Sequence, residues 1–441
     1  MKVSDNVKSA YKSGSITKHV TLSFPELGAE ISTDQIDYET MQLSESILES
    51  DSIEFVGCIA SKFSIQTHGL KTDIKGQKIV VTIYTDGTED EPINLFSGIV
   101  DTVTMQANKQ IKEIVAYDVL YTKGNTDVSA WYNALAFPVT LKVLRDSLFG
   151  VLGISQEERS LPNDAVTINK EYAPTSLQAI NVIKAICQIN GAFGIINREG
   201  KFEYRILPEI KGDDGAYPGL TLYPPFYPGV GAGSGGEYNP ESVSFYKSVN
   251  YEEYSVKPVD KLTIRQTDSE EGVVYGAGNN NYIIQGNMFT YGKSADELLQ
   301  IAQNIYPNVQ GISYIPFTAV NNGYPWVECG KDIVSYVAYD FEASAEDGTD
   351  VYADKQFYVF SRTLSGIQAL KDEYSAEGEE YQTEFITDLQ TQLETRQNAE
   401  NAVKDYTYSR AELDEKLQSW YRIVDELPAS YEAGVIYFVR K

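Results

Sequence analysis

The chain has 441 residues, 42% hydrophobic and 22% charged, a balance that suits two to four folded domains and excludes a disordered or collagen-like chain. Its 63 Asp and Glu against 36 Lys and Arg give a formal net charge of -27, which argues against direct or sequence-specific nucleic-acid binding, since that affinity rests on cations displacing counterions from phosphate. No run approaches the ~18–20 apolar residues of a membrane span, and Met1 to Val20 lacks the apolar core of a signal peptide, so folding in a cytoplasm is expected.

From Lys18 to Phe24 the residues alternate, with Val20, Leu22 and Phe24 on one face, the pattern of a half-buried strand. Similar runs at Phe55–Ile65, Ile79–Tyr84, Leu95–Val103 and Ile111–Val119 predict a first antiparallel β block, barrel or sandwich, over 1–120. Leu141, Leu144, Leu148 and Leu152 then recur at helical spacing and stop before Gly153, a favourable cap. A second, largely buried helix is expected from Ser176 to Asn190, ended by Gly191, and Ala192–Leu207 reads as a hairpin turning at Asn197–Gly200. Residues 121–210 are therefore a small α/β insertion.

Residues 211–240 carry Tyr-Pro and Gly clusters and read as a long loop. Its aromatics, Tyr223, Phe226 and Tyr227 among them, are candidates for packing on their own domain, for partner contact or for stacking sugars. The glycine run 229–236 lacks the Lys-Ser/Thr of a P-loop and does not lie between strand and helix, so linker is preferred to nucleotide site. A second β block over 241–372 includes strands at Ile312–Val320, Ile333–Tyr339 and Gln356–Leu364, a connecting loop at Ala345–Asp354, and one helix opened by the capping box Ser294–Glu297 and terminated by Pro307.

Between Glu379 and Leu427 there is neither Pro nor Gly, and residues 373–441 are read as a polar helix followed by a terminal strand at Gly434–Val439. A seam through Phe385, Leu389, Gln392, Arg396, Ala399, Val403, Tyr406, Arg410, Leu413, Leu417 and Trp420 steps alternately by four and three, which is coiled-coil spacing. Several seam positions are polar, so an oligomeric coil and a helix lying on its own protein are both compatible with it. The apolar and aromatic seam residues are candidates for oligomer or partner contact.

The chemistry-bearing residue types are sparse. His19 and His68 have no Cys or His at ligand spacing, no G-x-S-x-G elbow precedes a helix, and the acidic run 346–350 fails the EF-hand pattern; no cofactor or metal is expected. Cys58, Cys187 and Cys329 are far apart in the chain, odd in number and set among apolar or small neighbours, and read as buried thiols, not as a disulfide frame or a metal site. A carboxylate pair for glycoside hydrolysis is a spatial arrangement, and nothing in the sequence singles one out.

Several ordered phrases carry more specific information. Leu43–Ser46, Leu144–Phe149, Ile186–Gly194 with Arg198–Phe202, Gly292–Leu299 and Pro325–Gly330, in this order and spacing, resemble the tail-tip hub proteins of siphophages and prophages of Gram-positive bacteria. The resemblance covers about 1–372. It implies a fold that is mainly β with an α/β insertion, and a homotrimer in which two related barrel-like tube domains per chain make a pseudo-sixfold ring. Such a ring adapts the hexameric tail tube to threefold tip components around the DNA exit channel. The implied partners are the tail tube or distal tail protein, the tape measure protein and a distal tip or fibre protein. The implied place is the virion tail tip, after synthesis and assembly in the host cytoplasm, and the implied role is structural, not enzymatic. The competing readings are a glycan-binding adhesin and a peptidoglycan hydrolase of the tail tip.

Overall fold

The alternating run at Lys18–Phe24 forms a strand whose Lys18, Val20, Leu22 and Phe24 are buried, as the period of two requires. In the computed structural model, residues 3–13, 15–49, 57–106, 110–170, 173–208, 210, 241–243, 246–267, 270–340, 344, 351–380, 384–386, 421–424 and 436–439 are described. After helix α1 (Asp5–Lys12), the first block consists of β1 (Lys18–Phe24), β2 (Ala29–Ile31), β3 (Gln42–Ser46), β4 (Lys62–His68), β5 (Lys78–Thr85), β6 (Ile93–Met105) and β7 (Ile111–Tyr117). The insertion follows with α2 (Val119–Lys123), α3 (Ser129–Ala134), β8 (Val139–Thr140), α4 (Leu141–Leu152), β9 (Thr167–Ile168), α5 (Ala179–Gln188), β10 (Phe193–Ile196) and β11 (Phe202–Arg205).

The second block contains β12 (Glu241–Ser242), β13 (Tyr246–Tyr251), β14 (Lys261–Arg265), β15 (Val273–Gly276), β16 (Asn281–Gln285), α6 (Ala295–Val309), β17 (Phe317–Asn322), β18 (Ile333–Asp340), β19 (Val351–Tyr358), β20 (Ser361–Ser365), β21 (Lys371–Ala376) and β22 (Glu384–Ile386). The chain divides into two compact units, Met1–Thr387 and Asp388–Lys441. In the second unit β23 (Tyr421–Val424) pairs in parallel with β24 (Ile436–Val439).

Strand pairing corrects the expectation of two barrels. One open sheet of eleven strands runs β13-β17-β21-β20-β3-β4-β7-β6-β5-β1-β2, and among the described residues no sheet closes on itself. The two blocks merge at β3 and β20, where Leu43 lies opposite Leu364 and Glu45 opposite Arg362. A second tie joins β1 to the turn after β20, with the Lys18 backbone N–H donating to the Gln368 side chain (3.1 Å) and the Gln368 amide donating to the Lys18 carbonyl (2.7 Å). The reason is that alternation fixes which face of a strand is buried but not which strand it pairs with. The pseudo-sixfold arrangement of two barrels per chain therefore has no counterpart in this pairing.

The local signals of the insertion are realised. Thr140 caps α4, and Gly153 ends it with φ +68°, a left-handed conformation that a side chain would strain. The β10–β11 hairpin turns at Asn197–Gly200, where the Asn197 side chain accepts from the backbone N–H of Glu199 and Lys201. Helix α5 is two to three residues shorter at each end than its apolar run, spanning Ala179–Gln188.

Helix α6 has both halves of its capping box, but Pro307 lies inside it and the helix ends at Val309. A proline near a C-terminus removes one backbone donor without blocking the last turn. It docks on the end of α5 through amides: Asn304 donates to the Asn163 side chain (2.9 Å) and Asn308 to the Asn190 carbonyl (3.0 Å), while Asn163 donates to the Ile189 carbonyl (2.5 Å). The insertion is thus held between both β blocks.

Two further expectations are corrected. Gln356–Leu364 is split between β19 and β20, because at Val359-Phe360 the chain passes from the three-stranded sheet of β18 to the eleven-stranded one. The helix expected over 373–441 is not what the described residues there form: Glu384–Ile386 pairs in parallel with β16, Tyr282 opposite Phe385, and Tyr421–Val424 is a strand, while the rest of the seam lies outside the described residues. β-branched and aromatic residues at these places suit a pleated strand, and a helical seam drawn on period alone does not register that.

Candidate functional site

The loop between β17 and β18 contains Tyr324-Pro-Trp-Val-Glu-Cys-Gly330, and three arginines from three different elements close on its backbone. Arg198, in the β10–β11 turn, donates to the carbonyls of Pro325 and Val327, the latter at 2.6 Å. Arg205, at the end of β11, donates to the Cys329 carbonyl. Arg362, on β20, donates to the carbonyls of Val327 (2.6 Å) and Tyr324 (2.9 Å). Arginine suits this task because its planar fork of five donors can satisfy carbonyls and a carboxylate together.

Three buried carboxylates balance the cluster. Asp372 of β21 meets Arg362 through two oxygens, at 2.8 and 3.0 Å, and accepts from the Tyr324 backbone N–H and the Tyr374 hydroxyl, both at 2.9 Å. Glu45 of β3 lies 3.3 Å from Arg362 and 4.0 Å from Arg198. Glu328 of the loop lies 2.5 Å from Arg205. Burial opposes charge on Arg205 and Arg362, but Glu328 and Asp372 beside them outweigh it and hold both guanidinium groups more firmly protonated than usual. Burial likewise pushes the Glu328 carboxyl up, and the charges of Arg205 and Arg198 reverse this, holding it well below the usual carboxylate range.

A second, smaller cluster braces the insertion. Arg145 of α4 is paired with Asp164 at 2.8 and 2.9 Å and donates to the Arg159 carbonyl (2.8 Å). In both clusters the charged groups face partners in the same chain. The arrangement therefore fixes the relative geometry of the first block, the insertion and the second block. Among the described residues no group of three or more His, Cys, Asp and Glu is placed to hold a metal ion. None of their helices is long and apolar enough to cross a membrane.

Of the contact residues read from the sequence, one lies among the described residues. Phe385 lies in β22. Leu389, Val403, Tyr406, Leu413, Leu417 and Trp420, and likewise Tyr223, Phe226 and Tyr227, lie outside the described residues. Sequence reading missed the junction itself. A signal existed: Glu45 shares a face of its strand with Leu43, Arg362 with Leu364, and Asp372 with Tyr374, so each places a charge on an apolar period-two face.

No protein-family model matches the chain, and no curated protein matches it. Among solved structures, a 43 kDa tail protein of prophage MuSo2 from Shewanella oneidensis is similar with a TM-score of 0.47 at 11% identity, covering 81% of this chain and 97% of that one. A tail protein from Neisseria meningitidis is similar with a TM-score of 0.44 at 13% identity, covering 83% and 98%. A prophage tail protein, gp18, from Listeria monocytogenes is similar with a TM-score of 0.45 at 12% identity, covering 85% and 98%. Likeness at this level leaves the function to be argued from the chain's own residues.

Proposed function

We propose that the chain is a structural hub at the tip of a phage-type tail, assembled as a homotrimer around the channel through which tape measure protein and DNA leave. The observation that carries this reading is that the phrases on which the family resemblance rests supply the contacts holding the first block, the insertion and the second block together, three of them meeting in the arginine junction. Leu43–Ser46 supplies Glu45, Arg198–Phe202 supplies Arg198, and Pro325–Gly330 is the clasped loop with Glu328. Leu144–Phe149 supplies Arg145, and Gly292–Leu299 opens the helix that docks on the end of Ile186–Gly194. Phrases far apart in sequence thus specify one closed scaffold, which suits a part that holds its shape between a tube and a tip.

The net charge of -27 suits the wall of a channel past which DNA slides without adhering. In this reading the tube or distal tail protein lies on one side and a distal tip or fibre protein on the other. The test is to incubate the purified, gold-labelled chain with assembled tail tubes and image them. Label at one end of the tubes is the expected result. Label along the tube wall, or no label on tubes together with saturable binding to purified cell walls, would replace the hub by the adhesin reading.

A further inference from the structure

The fold brings together two of the three cysteines that read as buried thiols and not as a disulfide frame. Cys58, on the segment leading into β4, and Cys187, in the last turn of α5, are 129 positions apart in the chain, yet their Sγ atoms lie 3.6 Å apart. Both are free and buried. We propose that Cys58 and Cys187 are a disulfide-forming pair, oxidised by hydrogen peroxide, whose bond ties the first β block covalently to the insertion. This goes beyond the tail role and does not depend on it.

The two backbones are held in place by contacts that do not involve sulfur. The Gly57 carbonyl accepts from the Gly194 backbone N–H at 2.9 Å, which fixes the Cys58 segment against β10. One turn before Cys187, Lys184 of α5 pairs with Glu49 at 2.6 Å, and the Glu49 carboxylate also accepts from the Cys58 backbone N–H at 3.4 Å. Gly194 leaves the room that the Cys58 sulfur occupies: a Cβ there would lie 2.5 Å from Cys58 Sγ and 2.6 Å from the Phe202 ring. The sulfurs are therefore presented to one another, and a bond of ~2.05 Å needs a closure of about 1.5 Å by side-chain rotation and small backbone shifts.

A water-sized oxidant suits so enclosed a pair. Cys58 is 5% exposed and Cys187 0%, so peroxide reaches Cys58 first. Its sulfur attacks one peroxide oxygen; the O–O bond breaks, an S–O bond forms, and the leaving hydroxide takes the thiol proton as water. The Cys187 sulfur then attacks Cys58 Sγ, the S–O bond breaks, the S–S bond forms, and the second hydroxide leaves with the Cys187 proton as water. Two electrons pass from the sulfurs to peroxide, and two waters result. Cys329 has no such role: its Sγ lies against the Glu45 carbonyl at 3.7 Å.

The test uses the full chain, reduced and then treated with hydrogen peroxide, digested without reductant and mapped by mass spectrometry. The expected result is a cross-linked peptide pair containing Cys58 and Cys187 in the wild type and in Cys329→Ala, and none in Cys58→Ser. The midpoint of thermal unfolding is expected to rise by roughly 5 °C on oxidation, reversibly with reductant, in wild type and not in Cys58→Ser. Accumulation of sulfinic acid at Cys58 without the cross-linked peptide, or a cross-link that engages Cys329, would overturn the proposal. Should the serine variant fail to fold, the peptide maps of wild type and Cys329→Ala decide the matter alone.

Discussion

Arg362 and Asp372 face one another across neighbouring strands as a two-point ion pair, at 2.8 and 3.0 Å, with both side chains wholly buried. Desolvating two charges costs about as much as their attraction returns, so the pair adds little net stability, but either partner left alone is costly. Arg362→Met is expected to destabilise the chain by about 3–5 kcal/mol, because Asp372 would be left as a buried charge. The double variant Arg362→Met with Asp372→Leu is expected to recover part of that loss, the remainder reflecting the Tyr324 backbone groups and the Tyr374 hydroxyl that lose their partners. Urea unfolding of the wild type, the two single variants and the double variant checks this, and equal losses in single and double variants would show that the pair is not the unit.

The second prediction concerns pH. Asp118 caps α2 from the junction with the first block, accepting from the backbone N–H of Ser61 (2.6 Å) and Leu120 (2.8 Å). Burial pushes its carboxyl up to about 7, partly offset by those hydrogen bonds. An unfolded Asp ionises near 3.9, so the folded state binds the extra proton between roughly pH 4 and 7. Its contribution is fully present below pH ~4 and is lost as pH rises to ~7, by an amount on the order of 4 kcal/mol. Asp332, also raised by burial, acts in the same direction. The stability difference between wild type and Asp118→Asn should therefore slope across this window, and a flat difference would mean that Asp118 titrates normally.

A third prediction tests the capping box of α6. Ser294 accepts from the Glu297 backbone N–H at 3.4 Å, and the Glu297 side chain accepts from the Ser294 backbone N–H at 2.9 Å. Ser294→Ala is expected to lower stability by about 1 kcal/mol. Thermal unfolding measures it, and no change would show that the docking of α6 on α5 alone fixes the helix start.

The fourth prediction concerns where the first unit ends. The Tyr314 hydroxyl donates to the Glu377 carbonyl at 2.5 Å and the Tyr254 hydroxyl to the Gly378 carbonyl at 2.9 Å, and β22 adds a strand to β16. A chain cut after Thr387 should keep the thermal midpoint of the first unit, whereas a cut after Ala376 should lower it by several degrees. Equal midpoints would place the boundary at residue 376.

Much of the local structure was legible because it depends on neighbours in sequence. Val20, Leu22 and Phe24 announce their strand, Gly153 its helix end and Ser294 its helix start. Pairing was not legible, because nothing local in Gln42–Ser46 says that its partner lies more than 300 residues away at Ser361–Ser365. The ion junction was missed for the same reason, since Glu45, Arg205 and Arg362 are ordinary surface residue types until the fold buries them. The helical seam failed at Phe385 because spacing alone does not distinguish a polar helix from short strands in a polar chain.

The most direct test of the hub reading is the mass of the purified chain, alone and after incubation with tail tube protein, with negative-stain images of the same samples. The reading predicts an annular particle holding three copies of the 49.1 kDa chain, formed at the latest when tube protein is present. A single copy in both samples, with no ring in the images, would contradict it.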